Sequence, residues 1–342
     1  ATKWRAGVGR FEAEVTAVGH LGAALFPPWA ATDWHQWQPP VEIPPVIRFG
    51  AVEVDLKRIE GGVPDDATLQ PPQTVFSVPA VVPFPERPSL MLSVRGKTAS
   101  PATAVMHNVM LRLLTAIPPG RLRMTIIDPI GLGENFAAFM HLADYDEQLV
   151  TQRIWTESND IERRLADLTE QMETIIQKYL RNQFESIGQY NAQAGEVAEP
   201  FHLLVIANFP ASFTEVSARR LTRLIVSGPR CGVFTLLTID RDRELPPYFD
   251  LAEIEPHVTN LVWKHGRVAW QEAGLANVPL SLDPPPQGQL LTEVVCDAGA
   301  TAKQANRGEV PFERVAPRDA EWWSEQSGVE IAVPLGRAGA TD

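Results

Sequence analysis

From about residue 88 the chain alternates two patterns, and that alternation constrains the fold more than any other feature. Short apolar runs at 90–94, 123–127, 203–207 and 233–239 have the length and composition of strands, and the run at 203–207 is apolar enough to be buried on both faces. Between them lie stretches with helical periodicity at 102–114, 160–184 and 217–227. In the longest, Ile161, Leu165, Leu168, Met172, Ile175 and Tyr179 recur at intervals of four and three, an amphipathic stripe too short to favour a heptad coiled coil. Strands alternating with helices predict an α/β domain with a mainly parallel sheet covered by helices. The segments 260–264 and 267–270, joined by His265-Gly266, predict a β-hairpin at its margin, and 154–156 a further short strand.

Around this core the texture changes. Residues 1–25 predict an amphipathic helix carrying Trp4, Val8, Phe11, Val15 and Val18 on one side. A proline-dense stretch follows, with Trp29, Trp34 and Trp37 among its prolines; it excludes regular helix and is expected to be pinned by its indoles to a neighbouring surface, the alternative being an exposed partner site. Two strand patterns at 47–56 and 75–82 predict a small β-rich lead-in. After Pro284-Pro285-Pro286, a polar segment with one helix near 287–304 reads as a linker. The expected organisation is therefore an N-terminal helix and Pro/Trp segment at 1–45, a lead-in at 46–87, the α/β core at 88–282, a linker at 283–328, and the start of a following module at 329–342.

Charge and cysteine content narrow the function classes. A formal net charge of −12 over 342 residues argues against broad contact with a nucleic-acid backbone by this part alone. Two cysteines without a C-x-x-C pair provide no disulfide framework, which together with the absence of a signal-peptide pattern predicts a cytoplasmic protein. No apolar run approaches the roughly 20 residues of a membrane helix. The chain does not begin with Met, and we expect it to be a piece of a longer one.

Several segments, in order, resemble the FtsK/SpoIIIE family of translocase ATPases. They are the long helix followed by Arg181-Asn182 and Tyr190-Asn191, the apolar strand Leu203-Leu204-Val205-Ile206, and Gly228-Pro229-Arg230-Cys231-Gly232-Val233 leading into Phe234-Thr235-Leu236-Leu237-Thr238. Together they cover about residues 85–270. Trp322-Trp323 and the stretch from Val333 to Thr341 are similar to the lead-in of another such module, with Ile47-Arg48-Phe49-Gly50 as a weak internal counterpart. The resemblance implies a RecA-like, P-loop NTPase-type core.

In that family the core binds ATP, and in each of the three motifs that would do so this sequence departs, keeping only Gly96 and Thr103 of the first. A P-loop requires G-x-x-x-x-G-K-[ST] between strand and helix, with backbone N–H groups cradling phosphate, a Lys neutralising it and a hydroxyl on magnesium. Counting from Gly96, the second glycine is Pro101, the lysine is Ala102 and only Thr103 keeps its type. Proline has no N–H to donate and alanine no charge. The nearby Gly96-Lys97-Thr98 is a decoy, because in that register the first glycine would be Met91, inside the strand. The Walker B position, where Asp-Glu would hold magnesium and orient water, carries Ala207-Asn208. The sensor position after the next strand carries Asp240, a carboxylate that would repel a γ-phosphate.

The sequence thus predicts a non-catalytic module: no catalytic residue, no metal and no cofactor of its own, with ATP and magnesium serving an active motor downstream. Expected partners are that adjacent ATPase module, copies of the chain in a hexameric parent, and double-stranded DNA through the parent. The alternative is a protein-docking module of a secretion-type motor; a divergent nucleotidase using Lys97 or Asp128 is the enzyme-class reading. Other constellations read as structural. Gly131-x-Gly133 lacks the third glycine of a dinucleotide fingerprint, and Asp144, Asp146 and Glu147 beside His141 read as a solvated loop rather than a metal site. Arg163, Arg164, Arg219, Arg220, Arg223 and Arg230 read as helix-surface charges, with a ring pore or subunit interface as the sharper alternative.

Overall fold

The structure is a computed structural model that describes residues 2–305, apart from 32, 60, 61, 97, 98, 182, 248 and 265. Trp322-Trp323, the stretch 333–341 and the expected following module therefore lie outside the described residues, as do Lys97, Thr98, Asn182 and His265.

Helix α1 spans Thr2–Leu25 and leads into the Pro/Trp segment. Strands β1 (Val46–Asp55) and β2 (Val75–Pro83) pair antiparallel, after which β3 (Leu90–Val94), α2 (Ala99–Ala116) and β4 (Leu122–Ile127) open the core. There follow α3 (Ser158–Lys178), α4 (Ile187–Ala194), β5 (Phe201–Phe209), α5 (Glu215–Ser227), β6 (Val233–Asp240), α6 (Leu251–Ile254), β7 (Thr259–Lys264), β8 (Arg267–Trp270), β9 (Leu280–Leu282) and α7 (Gln289–Ala305).

The main sheet has six strands in the order β4-β5-β6-β3-β7-β8. Its first five strands run parallel, and β8 closes the edge antiparallel to β7, the hairpin the sequence implied. Every residue of β3 is buried, as expected of a central parallel strand covered on both faces. The chain moves from β3 to the far strand β4, returns through β5 and β6 to lie beside β3, and then passes to β7 on the other side. The strand order thus reverses between β6 and β3, and open α/β sheets place ligands beyond the carboxyl ends of the strands at such a point.

Four expectations need correction. The long helix stops at Lys178 rather than 184: Leu180 is buried, Tyr179 reaches back to Glu199 and stacks 4.6 Å from Tyr190, and Ser186 caps α4, so tertiary contacts turn the chain while its apolar rhythm continues. The strand at 154–156 is only an isolated parallel bridge, Ile127 to Trp155. The lead-in is not contiguous in sequence, because β9 supplies the third strand of the small sheet, in the order β2-β1-β9, pairing Gly50 with Leu282. The helix near 287–304 is present as α7, but it is no linker: Val294, Val295, Ala298 and Ala302 are buried in the common core.

The indoles behave as anchors. Trp29 donates from Nε1 to Asn108 Oδ1 of α2 at 2.9 Å, and Trp34 donates to the Trp29 carbonyl at 3.0 Å. Both rings are buried, which decides in favour of the pinned segment. Among the described residues, no helix is long and apolar enough to cross a membrane.

Candidate functional site

The register of the sheet brings three of the singled-out positions to one edge. Val94, last in β3, is paired with Asp240, last in β6, while Ile206 and Phe209 of β5 flank Asn208 opposite Leu237 and Ile239 of β6. Gly96, Asn208 and Asp240 therefore stand at the carboxyl ends of three neighbouring strands, β3, β5 and β6, at the reversal of strand order.

Pro101, Ala102 and Thr103 lie in the first turns of α2, since the helix begins at Ala99. Proline is tolerated there because the first N–H groups of a helix have no intrahelical partner. Ala102 is fully buried, so the position aligned with the phosphate-binding lysine faces the packed interior. Thr103 is half-buried.

Gly96 has φ +46, a left-handed conformation suited to glycine, and its N–H donates to Asp242 Oδ2 at 3.0 Å. Arg95 lies 3.5 Å from the other oxygen of the same carboxylate. The amide that opens the P-loop-like segment is thus directed at an anion the chain itself supplies. Asp240 turns the same way, accepting from the Asp242 N–H at 3.0 Å and from Arg243 Nε at 3.1 Å. Both described carboxylates of this turn are committed to local donors.

Asn208 has φ 61, a region that asparagine tolerates better than most residues. Its N–H donates to Thr238 Oγ1 at 2.7 Å and its Nδ2 to Asp128 Oδ1 at 3.2 Å. Asp128, completely buried after β4, also accepts from the Gly131 N–H at 2.9 Å and from Asn135 Nδ2 at 3.0 Å. A Cβ on Gly131 would come 2.2 Å from Asp128 Oδ2, so this glycine is required by the carboxylate packed over it. The Gly131-x-Gly133 turn is built around Asp128, with φ +86 at Gly133. Ala207 is buried within β5.

The other candidates are held locally. His141 Nδ1 lies 3.0 Å from Asp144, and Asp146 accepts from the Gln148 N–H. Arg163 pairs with Asp160, Arg164 with Asp167, Arg219 with Glu215 and Arg220 with Glu162, while Arg230 donates to the Glu185 carbonyl. Sequence reasoning missed the part played by Asp242 and Thr238 and the extent of the Asp128 network. An aspartate at a strand end was a weak signal for Asp128; the contact of Asp242 with Gly96 spans 146 positions and left none.

No family model matches the chain, and no curated protein matches it in sequence. Its fold does have solved counterparts. ATPases 2 and 3 of EssC from Geobacillus thermodenitrificans superpose with a TM-score of 0.56 at 15% identity, over 79% of this chain and 51% of that one. The fold is that of an FtsK/SpoIIIE-type ATPase module. The cytoplasmic domain of EssC gives a TM-score of 0.52 at 15% identity, covering 77% and 50% of the two chains. EccC ATPases 2 and 3 from Thermomonospora curvata, solved with a signal sequence peptide, give 0.51 at 13% identity, covering 76% and 47%. The chain spans about half the length of these structures, and the RecA-like α/β core expected from the sequence is the core it has.

Proposed function

We propose that this chain is a non-catalytic module of a multi-module FtsK/SpoIIIE-type motor, with an ATPase fold kept for assembly or regulation of an active neighbour. The observation that carries the reading is at Gly96: its N–H, where a P-loop would meet phosphate, is directed at the Asp242 carboxylate. Buried Ala102 stands in the lysine position, and Asn208 is turned to Asp128 rather than towards a nucleotide. Among the described residues at the aligned positions, none supplies the cation and paired acids that a magnesium triphosphate needs. ATP and magnesium would then serve the neighbouring module, and the chain would work on the cytoplasmic side as part of a ring. Isothermal titration of the chain with ATP and magnesium should give no saturable heat; micromolar binding abolished by Thr103→Ala would overturn the reading.

A protein-docking role in a secretion-type parent is the second reading, and the likeness to EssC and EccC modules supports it over a DNA translocase. The acidic balance of the chain points the same way. Electrophoretic mobility shift with double-stranded DNA, beside pull-down of proteins from the parent system, separates the two.

A further inference from the structure

Away from the strand ends, a cleft of about 480 Å³ opens between the Pro/Trp segment, α2 and the proline run that precedes α7. That size falls within the roughly 300–1,000 Å³ of small-molecule sites. Its walls are largely apolar, with Phe26, Trp29, Pro285 and Leu290 among them. Set into this surface are two guanidinium groups and one carboxylate. Arg48 holds Asp283 with both ends of its fork, Nε to Oδ2 at 2.8 Å and Nη2 to Oδ1 at 3.1 Å. Both oxygens of Asp283 are therefore engaged by Arg48.

Arg112, only 3% exposed, makes no such pair among the described residues. Its Nη1 donates to the Pro27 carbonyl at 2.9 Å, its Nε is enclosed without a partner, and its guanidinium lies 4.0 Å from the Trp29 ring centre. Burial pulls the guanidinium down to about 10; Asp283 works against that and Arg48 reinforces it, so Arg112 keeps its proton at neutral pH. Two cations against one anion leave one positive charge in a mostly apolar cleft. An isolated buried charge is costly, and a ligand that brings both an anion and apolar surface relieves that cost.

We propose that this cleft binds a small monocarboxylate with an apolar tail or ring, its carboxylate beside Arg112 and its apolar part against Phe26, Trp29 and Leu290. A planar guanidinium matches a carboxylate fork, and a tail of this type fills a surface that neither water nor inorganic anions would fill well. The site is separate from the strand-end positions, so the inference does not depend on the non-catalytic reading above.

The full chain is titrated with octanoate, octan-1-ol and inorganic phosphate, followed by tryptophan fluorescence, with Trp29 in the wall as reporter, and by calorimetry. Octanoate should bind saturably and at least about tenfold more tightly than octan-1-ol, as expected of a hydrogen bond to a charged group; phosphate should not compete. Arg112→Gln should remove the preference for octanoate over the alcohol. Should that variant fail to fold, Ala30→Trp, a change at the exposed rim of the cleft, should block octanoate while leaving the melting temperature unchanged. Equal affinity for acid and alcohol, competition by phosphate, or octanoate binding indifferent to Ala30→Trp would each overturn the proposal.

Discussion

Replacing Asp128 by alanine tests whether the strand ends are held by a structural anion. The carboxylate is wholly buried and accepts from the Gly131 N–H, Asn135 Nδ2 and Asn208 Nδ2. A hydrogen bond to a charged group contributes about 1.5–3 kcal/mol, which would sum to more than 4 kcal/mol if all three donors were stranded. They are not, since Asn135 is exposed while Gly131 and Asn208 are half-buried, so water recovers part of the loss. We expect a net destabilisation of about 3 kcal/mol for Asp128→Ala and about 1–2 kcal/mol for Asp128→Asn, which keeps the shape and one acceptor. With an unfolding entropy of about 0.6 kcal/mol/K for roughly 300 residues, the alanine variant should melt about 5 °C lower. Circular dichroism and tryptophan fluorescence should report the same midpoint. In a cycle with Asn208→Ala the two changes should be clearly less than additive, because they break one shared bond. An alanine variant melting within 1 °C of the unsubstituted chain, a difference of about 0.6 kcal/mol, or strict additivity with Asn208→Ala, would refute the assignment.

Further outcomes are open to direct measurement. His202 is a buried residue of β5, with Nε2 2.8 Å from Thr125 Oγ1 of β4, and burial pulls it from 6.5 to about 4. The unfolded chain then binds a proton that the folded one refuses, so stability should fall by up to ~3 kcal/mol as pH drops from 6.5 towards 4, and His202→Gln should flatten that slope in denaturant titrations. Burial raises the Cys231 thiol to about 11, so it should resist a disulfide reagent at pH 8 until the chain unfolds, as timed thiol counting would show. Gly232 has φ +74, and a Cβ there would sit 2.7 Å from Ile187 Cγ2, so Gly232→Ala should cost on the order of 2 kcal/mol in urea unfolding. The chain and its Lys97→Ala variant should both leave phosphate release from ATP at the buffer baseline; activity in the unsubstituted chain that this change abolishes would restore the nucleotidase reading.

How far the sequence could be read depended on how local each cause was. β3 occupies the expected residues 90–94 because an apolar run between Pro88 and Gly96 has no competing structure available. Helix α3 was overextended because Tyr179 and Leu180 continue the apolar rhythm after the backbone has turned, and what turns it lies at Tyr190 and Glu199. β9 was missed because three residues between Pro279 and Asp283 carry no periodicity; their meaning comes from Gly50, where a Cβ would meet the Ser281 carbonyl at 2.3 Å. Within the candidate site, Gly96, Asn208 and Asp240 could be placed from strand ends alone. What their polar atoms do could not, since Asp242 and Asp128 act on them across 146 and 80 positions.

The return of β9 to β1 also orders events in time. The Arg48–Asp283 pair joins residues 235 positions apart, and the small sheet needs both ends of that span. During synthesis the first strands must wait, one edge still open, until nearly the whole α/β core has emerged. A chain ended before residue 280 would leave Gly50 facing water in place of a neighbour, with an exposed strand edge that invites pairing with other copies.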